Sequence, residues 1–180
     1  MNFLELVRTR RSVRGYLTKP VEREKIMRCL EAARLAPSAC NSQPWKFIVV
    51  DDPELKNMIA KETFGKLISF NHFSLQAPVI VVVVLENANI TASIGKIVKQ
   101  IPYSYIDAGI AIEHFCLQAT EEGLGSCILG WFNEKPVKKI LKIPEGKKVV
   151  ALIALGYPEK NENPDKIRKP LEEMSSFNSY

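Results

Sequence analysis

The chain has 180 residues, 46% of them apolar and 25% charged, and a net charge of +5. That length and balance fit one domain with a sizeable core and exclude disordered, collagen-like and disulfide-scaffold classes. The longest apolar run, Ala77 to Leu85, falls far short of the roughly 20 residues that span a bilayer, so no membrane partner is expected. The start, Met1 to Arg11, lacks an apolar stretch before a small-residue cleavage site, so no signal peptide is expected.

Cys29, Cys40, Cys116 and Cys127 show no C-x-x-C spacing, and His72 and His114 fall in no ligand pattern. No metal site is expected. The cysteines read as small buried hydrophobes, a usage that suits a reducing cytoplasm. Lys138, Lys139, Lys142, Lys147 and Lys148 form a basic cluster. No aromatic residues interleave with it to stack bases, so it reads as a solvated face rather than a nucleic-acid patch.

In chain order, residues 2–9 read as a short helix with Phe3, Leu4 and Val7 on one face. Residues 21–35 read as a second helix, with Ile26, Leu30 and Ala33 at helical spacing, Thr18 as its cap and Pro37 as its stop. A strand is expected at Phe47 to Val50, closed by the Asp51-Asp52-Pro53 turn. Helices are expected over 54–61 and 63–73. Val79 to Leu85 is β-branched except at its end, the pattern of a central strand buried on both faces. Residues 86–101 are polar and weakly periodic. Tyr103 to Glu122 is apolar on most sides, as a core helix is, and Gly123-Leu124-Gly125 stops it. A strand at Ser126 to Trp131, a helix at Lys135 to Leu141 and a strand at Val149 to Leu155 complete the compact part. The polar segment after Pro158 carries Ile167, Leu171 and Met174, which favour docking onto a partner. Strands separated by helices imply an α/β or α+β sandwich around one sheet.

Two segments stand out chemically. Arg8-Thr9-Arg10-Arg11-Ser12-Val13-Arg14 puts four arginines and a serine just after a helix. Guanidinium forks match phosphate oxygens, and a serine adds a short donor. Ala36-Pro37-Ser38-Ala39-Cys40-Asn41-Ser42-Gln43-Pro44-Trp45-Lys46-Phe47 joins a helix to a strand through small polar residues stiffened by prolines. Such a loop can present backbone and amide groups to a heterocycle; an ordinary Asx turn would use the same residues. Trp45 reads as core packing. Gly123-Leu124-Gly125 before a buried strand and Gly130 after it allow backbone to approach a flat ligand closely. G-x-G-x-x-G, G-x-x-x-x-G-K-[ST] and G-x-S-x-G patterns are absent from the sequence, so it carries no Rossmann, P-loop or α/β-hydrolase signature.

Taken in order, Arg10-Arg11-Ser12-Val13-Arg14, Pro37-Ser38-Ala39-Cys40-Asn41-Ser42-Gln43-Pro44-Trp45-Lys46-Phe47, Ala77-Pro78, Asp107-Ala108-Gly109, Gly123-Leu124-Gly125, Leu155-Gly156-Tyr157-Pro158 and Lys166-Ile167-Arg168-Lys169-Pro170-Leu171 resemble the nitroreductase family of FMN enzymes over nearly the whole chain. The resemblance implies an α+β fold with a central mixed sheet flanked by helices. It also implies an intertwined homodimer with two FMN sites at its interface, and a single domain over 1–180 whose tail, 159–180, wraps the partner protomer. By the same resemblance, Arg10, Arg11, Ser12 and Arg14 hold the FMN phosphate and ribityl chain. Pro37, Ser38, Ala39 and Asn41 reach the flavin of the partner subunit, Leu129 and Gly130 pass the isoalloxazine ring, and Lys166 and Arg168 return to the phosphate. Asn71 and Lys66 are further candidates for flavin contact. No catalytic acid or base is expected, because the flavin carries the redox chemistry and the protein positions and tunes it. The implied activity is reduction of nitroaromatic, quinone or similar acceptors with NADH or NADPH as donor. The competing readings are a non-catalytic flavin storage or sensor protein and, well behind it, a nucleic-acid module.

Overall fold

The computed structural model of the chain describes residues 1–65, 69–87, 101–160 and 165–180. Four strands, β1 (Trp45–Val50), β2 (Val79–Leu85), β3 (Gly125–Leu129) and β4 (Lys148–Gly156), form one sheet in the order β1-β2-β4-β3. Each neighbouring pair is antiparallel. The sheet is therefore antiparallel rather than mixed as expected from sequence; among the described residues, parallel pairing is limited to the bridge between Ser12 and Ser126, which lays the N-terminal segment along the outer edge of β3.

β2 is buried at every position. Because side chains alternate across a strand, Ile80, Val82 and Val84 pack into one core layer and Val79, Val81 and Val83 into the other. The first layer lies under α3 (Pro53–Lys61) and α5 (Glu134–Ile140), contributing Ile59 and Val137. The second lies under α2 (Arg23–Arg34) and α4 (Tyr103–Glu121), contributing Ile26, Cys29, Ala111 and Phe115. Phe115 stacks on Phe47 of β1 at 5.8 Å between ring centroids. The sheet is thus covered on both faces. Among the described residues, the remaining α-helices are α1 (Phe3–Thr9) and α6 (Leu171–Met174).

Helix ends follow local chemistry. Asn2 and Glu5 form a reciprocal capping box on α1, and Asp52 caps α3 with Pro53 in its first turn. Two sequence expectations differ from what forms. Helix α2 starts at Arg23, and Thr18 is not its cap; Glu22 holds that position without a side-chain bond. Pro20 disfavours helical backbone at Lys19, which moves the start past it. The helix expected over 63–73 is absent from the described residues of that range until a single 3₁₀ turn at His72–Leu75. Here buried polar groups capture the chain instead: Thr63 Oγ1 lies 2.9 Å from Ser74 Oγ, and Asn71 Nδ2 donates to Thr63 O at 3.1 Å. Lys66 lies outside the described residues. The strand expected to reach Trp131 leaves the ladder after Leu129, which exposes Gly130 and Trp131. Among the described residues, no helix is long and apolar enough to cross a membrane.

Candidate functional site

The basic segment runs between α1 and the β3 edge. Val13 N–H donates to Ser126 O at 2.9 Å, and the Val13 side chain is buried. Gly125 is required here: a Cβ on it would lie 2.6 Å from Val13 Cγ2. Tyr16 pins the far end of the segment, its hydroxyl within reach of Val13 O at 2.8 Å and Ala154 O at 3.1 Å. Anchored at Val13 and Tyr16, the segment leaves Ser12 and Arg14 exposed.

The cations on this segment gather against the C-terminal stretch. Lys166 Nζ donates to Val7 O at 2.5 Å, tying residues 165–170 to α1. Burial pushes the Lys166 ammonium below its ordinary pKa, and the positive charges of Arg10 and Arg168 push it the same way; Glu113 opposes them. Arg10 Nε stands 3.4 Å from Glu113 Oε1. Arg10 thus pairs with Glu113, and Lys166 and Arg168 add positive charge nearby. Such a group stores repulsion that a bound anion relieves, and an FMN phosphate carries about −1.5 to −2 charge at neutral pH. The residues present fit the group. Arg14 is exposed, and its positive charge favours the thiolate form of Cys127 on β3 against the burial that raises that thiol's pKa. Arg11 is placed differently from the rest: its Nη2 donates to Lys160 O at 2.7 Å, so it fastens the chain past Pro158. Arg168 Nη1 bonds the carbonyl of Ile167 at 2.8 Å.

The Pro37–Pro44 loop is built by an unusual backbone. Cys40, Asn41 and Gln43 all have positive φ, at 52°, 50° and 46°. Left-handed backbone costs a non-glycine residue of order 1–3 kcal/mol, and such residues cluster at functional sites. The loop is held by its own polar groups: Gln43 N–H donates to Ser38 Oγ at 2.9 Å, and Gln43 Nε2 donates to Asn41 Oδ1 at 2.9 Å. Among the bonds that fix it to the rest of the molecule, Glu86 N–H donates to Pro44 O at 3.1 Å. Ala39 N–H donates to Oδ1 of Asp107, a buried carboxylate in the second turn of α4, at 3.1 Å. Trp45 is half-buried against the α2–α4 layer, as core packing requires.

Helix α4 thus carries two anchors, Asp107 for the loop and Glu113 for the basic cluster. Six residues at roughly 100° each put them about 120° apart around the helix axis. The chain brings Arg10, Lys166 and Arg168 together but holds the loop on a different face of α4. On β3, Leu129 is buried in the core and can offer a ligand only its backbone. Gly130 is exposed, with nothing within 4 Å of where a Cβ would be. Asn71 is not free to meet a ligand with its amide nitrogen, which donates to Thr63 O and, at 3.3 Å, to Trp131 O. Asp107, Glu113 and Asn71 are positioning residues to which the sequence alone gave no such role. Among the described residues, no group of His, Cys, Asp and Glu could hold a metal ion.

With the site in view, the comparisons define its class. The sequence model of the nitroreductase family matches residues 7–157. A protein of Archaeoglobus fulgidus that carries the provisional name NADH dehydrogenase/NAD(P)H nitroreductase is 34% identical, over 92% of this chain and 96% of its own. A nitroreductase family protein of Clostridium novyi superposes with a TM-score of 0.77 at 34% identity, over 92% of this chain and 89% of that one. An FMN-dependent nitroreductase of Clostridium difficile gives 0.79 at 29% identity, over 99% and 100%. The chain belongs to the nitroreductase family, and it is an oxidoreductase of that kind. FMN is the family's cofactor, with NADH or NADPH as its donor.

Proposed function

We propose that this chain binds FMN through Arg10, Ser12, Arg14, Lys166 and Arg168, with Arg11 holding the adjoining chain, and uses NADH or NADPH to reduce nitroaromatic, quinone or similar acceptors. The observation that carries this reading is the gathering of Arg10, Lys166 and Arg168, with Arg10 paired to the Glu113 carboxylate. FMN, when bound, supplies the hydride chemistry. The chain's own residues bind and orient: the cations neutralise the phosphate, and the open space over Gly130 receives a flat ring against the β3 backbone. Pro37, Ser38, Ala39 and Asn41 serve the site of a second copy.

The reading includes a homodimer, in which the loop and the cluster, lying on different faces of α4, serve different copies. Exposed Phe3 and Leu4 on α1 and Tyr105 and Ile106 on α4 supply apolar surface for it. The described part of the 159–180 tail, with Ile167 and Phe177 more than nine-tenths exposed, supports its wrapping the partner around the single domain of 1–180. The buried thiols Cys29, Cys116 and Cys127 suit a reducing cytoplasm.

The test is the visible spectrum of the purified chain and the identity of the chromophore released by heat. Yellow protein releasing near-stoichiometric FMN, with NADH or NADPH oxidised only when a nitroaromatic or quinone is added, is the expected result. Bound flavin with no turnover on any acceptor would instead favour a storage or sensor role. Colourless protein that takes up no added FMN would overturn the reading.

A further inference from the structure

A cavity of about 470 Å³ opens between the segment leading into α2, the first turns of α3 and the entrance to β2. It lies at the β1–β2 side of the sheet, whereas the basic segment lies along the opposite edge, on β3. It shares no residue with the basic cluster or with the Pro37–Pro44 loop. Its volume falls in the range of small-molecule sites, which combine apolar walls with a few placed polar groups. Pro20, Val21, Pro53, Leu75 and Pro78 supply the apolar walls.

Lys56, on the same wall, is the unusual member. It is only 6% exposed, yet among the described residues no carboxylate stands within ion-pair distance of it. Its ammonium donates to Asn57 Oδ1 at 2.6 Å and to Leu75 O at 2.8 Å. An ammonium has three protons to donate, so one remains. A buried cation with neutral partners alone is costly, and burial lowers its pKa accordingly. Lys19 adds a second positive charge at the rim, itself 3.6 Å from Glu22, and Asp51 adds a negative one. The wall charges sum to net positive.

We propose that this cavity is a binding site for a small organic carboxylate, its charged head on Lys56 and its apolar body against the proline-rich wall. The site is independent of the flavin reading, so failure of either leaves the other standing. The test uses benzoate as probe and benzyl alcohol as its neutral counterpart. Binding is followed by amide shifts in a ¹H–¹⁵N spectrum of the full chain as purified. Saturable shifts at Val21, Lys56, Gln76 and Val79 are expected with benzoate, with affinity at least about tenfold above that for benzyl alcohol. Lys56→Met is expected to remove that preference while the rest of the spectrum stays in place. Should that variant fail to fold, Gln76→Trp, an exposed position on the same cavity, is expected to weaken benzoate by steric filling. Equal affinity for the two probes, no saturable shift with either, or benzoate binding indifferent to Lys56→Met or Gln76→Trp would overturn the proposal.

Discussion

At the scale of single residues, the loop before β1 depends on Asp107. Asp107→Ala leaves the half-buried Ala39 N–H without its acceptor, a loss of about 0.5–1.5 kcal/mol. Thermal melts are expected to register that loss, and Asp107→Asn, which keeps an acceptor oxygen, to recover most of it. Equal melting of all three proteins would show that the bond does not hold the loop. The left-handed backbone gives a second expectation. Cys40→Gly removes the Cβ penalty at φ 52° and is expected to leave stability unchanged or raise it by up to about 1 kcal/mol, while Cys40→Val lowers it. That Ser38 and Asn41 can bond within their own loop was open in the sequence as an Asx-type turn, because those bonds reach only a few residues along the chain. Asp107 was not legible as an anchor, since its partner is 68 positions away and an aspartate inside an apolar helix carries no local sign of what it binds.

At the scale of elements, the α2–α4 layer is the sensitive one. Phe115 is fully buried and stacked on Phe47, so Phe115→Ala is expected to cost about 3–5 kcal/mol. In a chain of this length that is a fall in Tm of roughly 10 °C, at about 2–4 °C per kcal/mol. The same two helices are joined at Glu122. Arg28 Nε and Nη2 donate to its carboxylate at 2.6 and 2.7 Å, holding its pKa below the ordinary value; Gln118 also donates to it. A depressed carboxylate binds its proton more weakly in the folded chain than in the unfolded one. Its contribution is therefore present above the unfolded pKa and is lost as pH falls through the folded one. The stability difference between the natural chain and Glu122→Gln is expected to be positive at pH 6 and to shrink toward pH 3 in urea titrations. A difference that stays constant over that span would sever the link to Glu122. The apolar run of β2 and the nearly all-round apolar pattern of α4 made both elements readable from sequence, because burial on every side leaves one interpretation. In the described residues of 63–73 the expected helix gives way for the opposite reason: the buried hydrogen bonds of Thr63, Asn71 and Ser74 outweigh the helical pattern.

For the whole molecule, the central expectation is that flavin retention and dimerisation are one property. On the proposed reading, the cluster of Arg10, Lys166 and Arg168 and the loop at Asp107 serve different copies, each copy holding half of two sites. The order of the sequence motifs conveyed the parts of such a site, but not that α4 sets its two anchors on different faces; that emerges only when six residues are wound into a helix. Two variants separate the halves. Arg10→Ala with Arg14→Ala is expected to weaken FMN by tenfold or more, one charge-assisted hydrogen bond being worth about 1.5–3 kcal/mol. It should leave the dimer intact in light scattering, because neither side chain packs in the core. Ile106→Glu on the exposed face of α4 is expected to dissociate the dimer and release FMN with it, although it touches no phosphate-binding residue. Protein dilution should then lower flavin occupancy in the natural chain in step with the monomer fraction. A monomer that keeps stoichiometric FMN would mean that one copy completes the site alone, and the loop at Asp107 would then need a purpose within its own subunit.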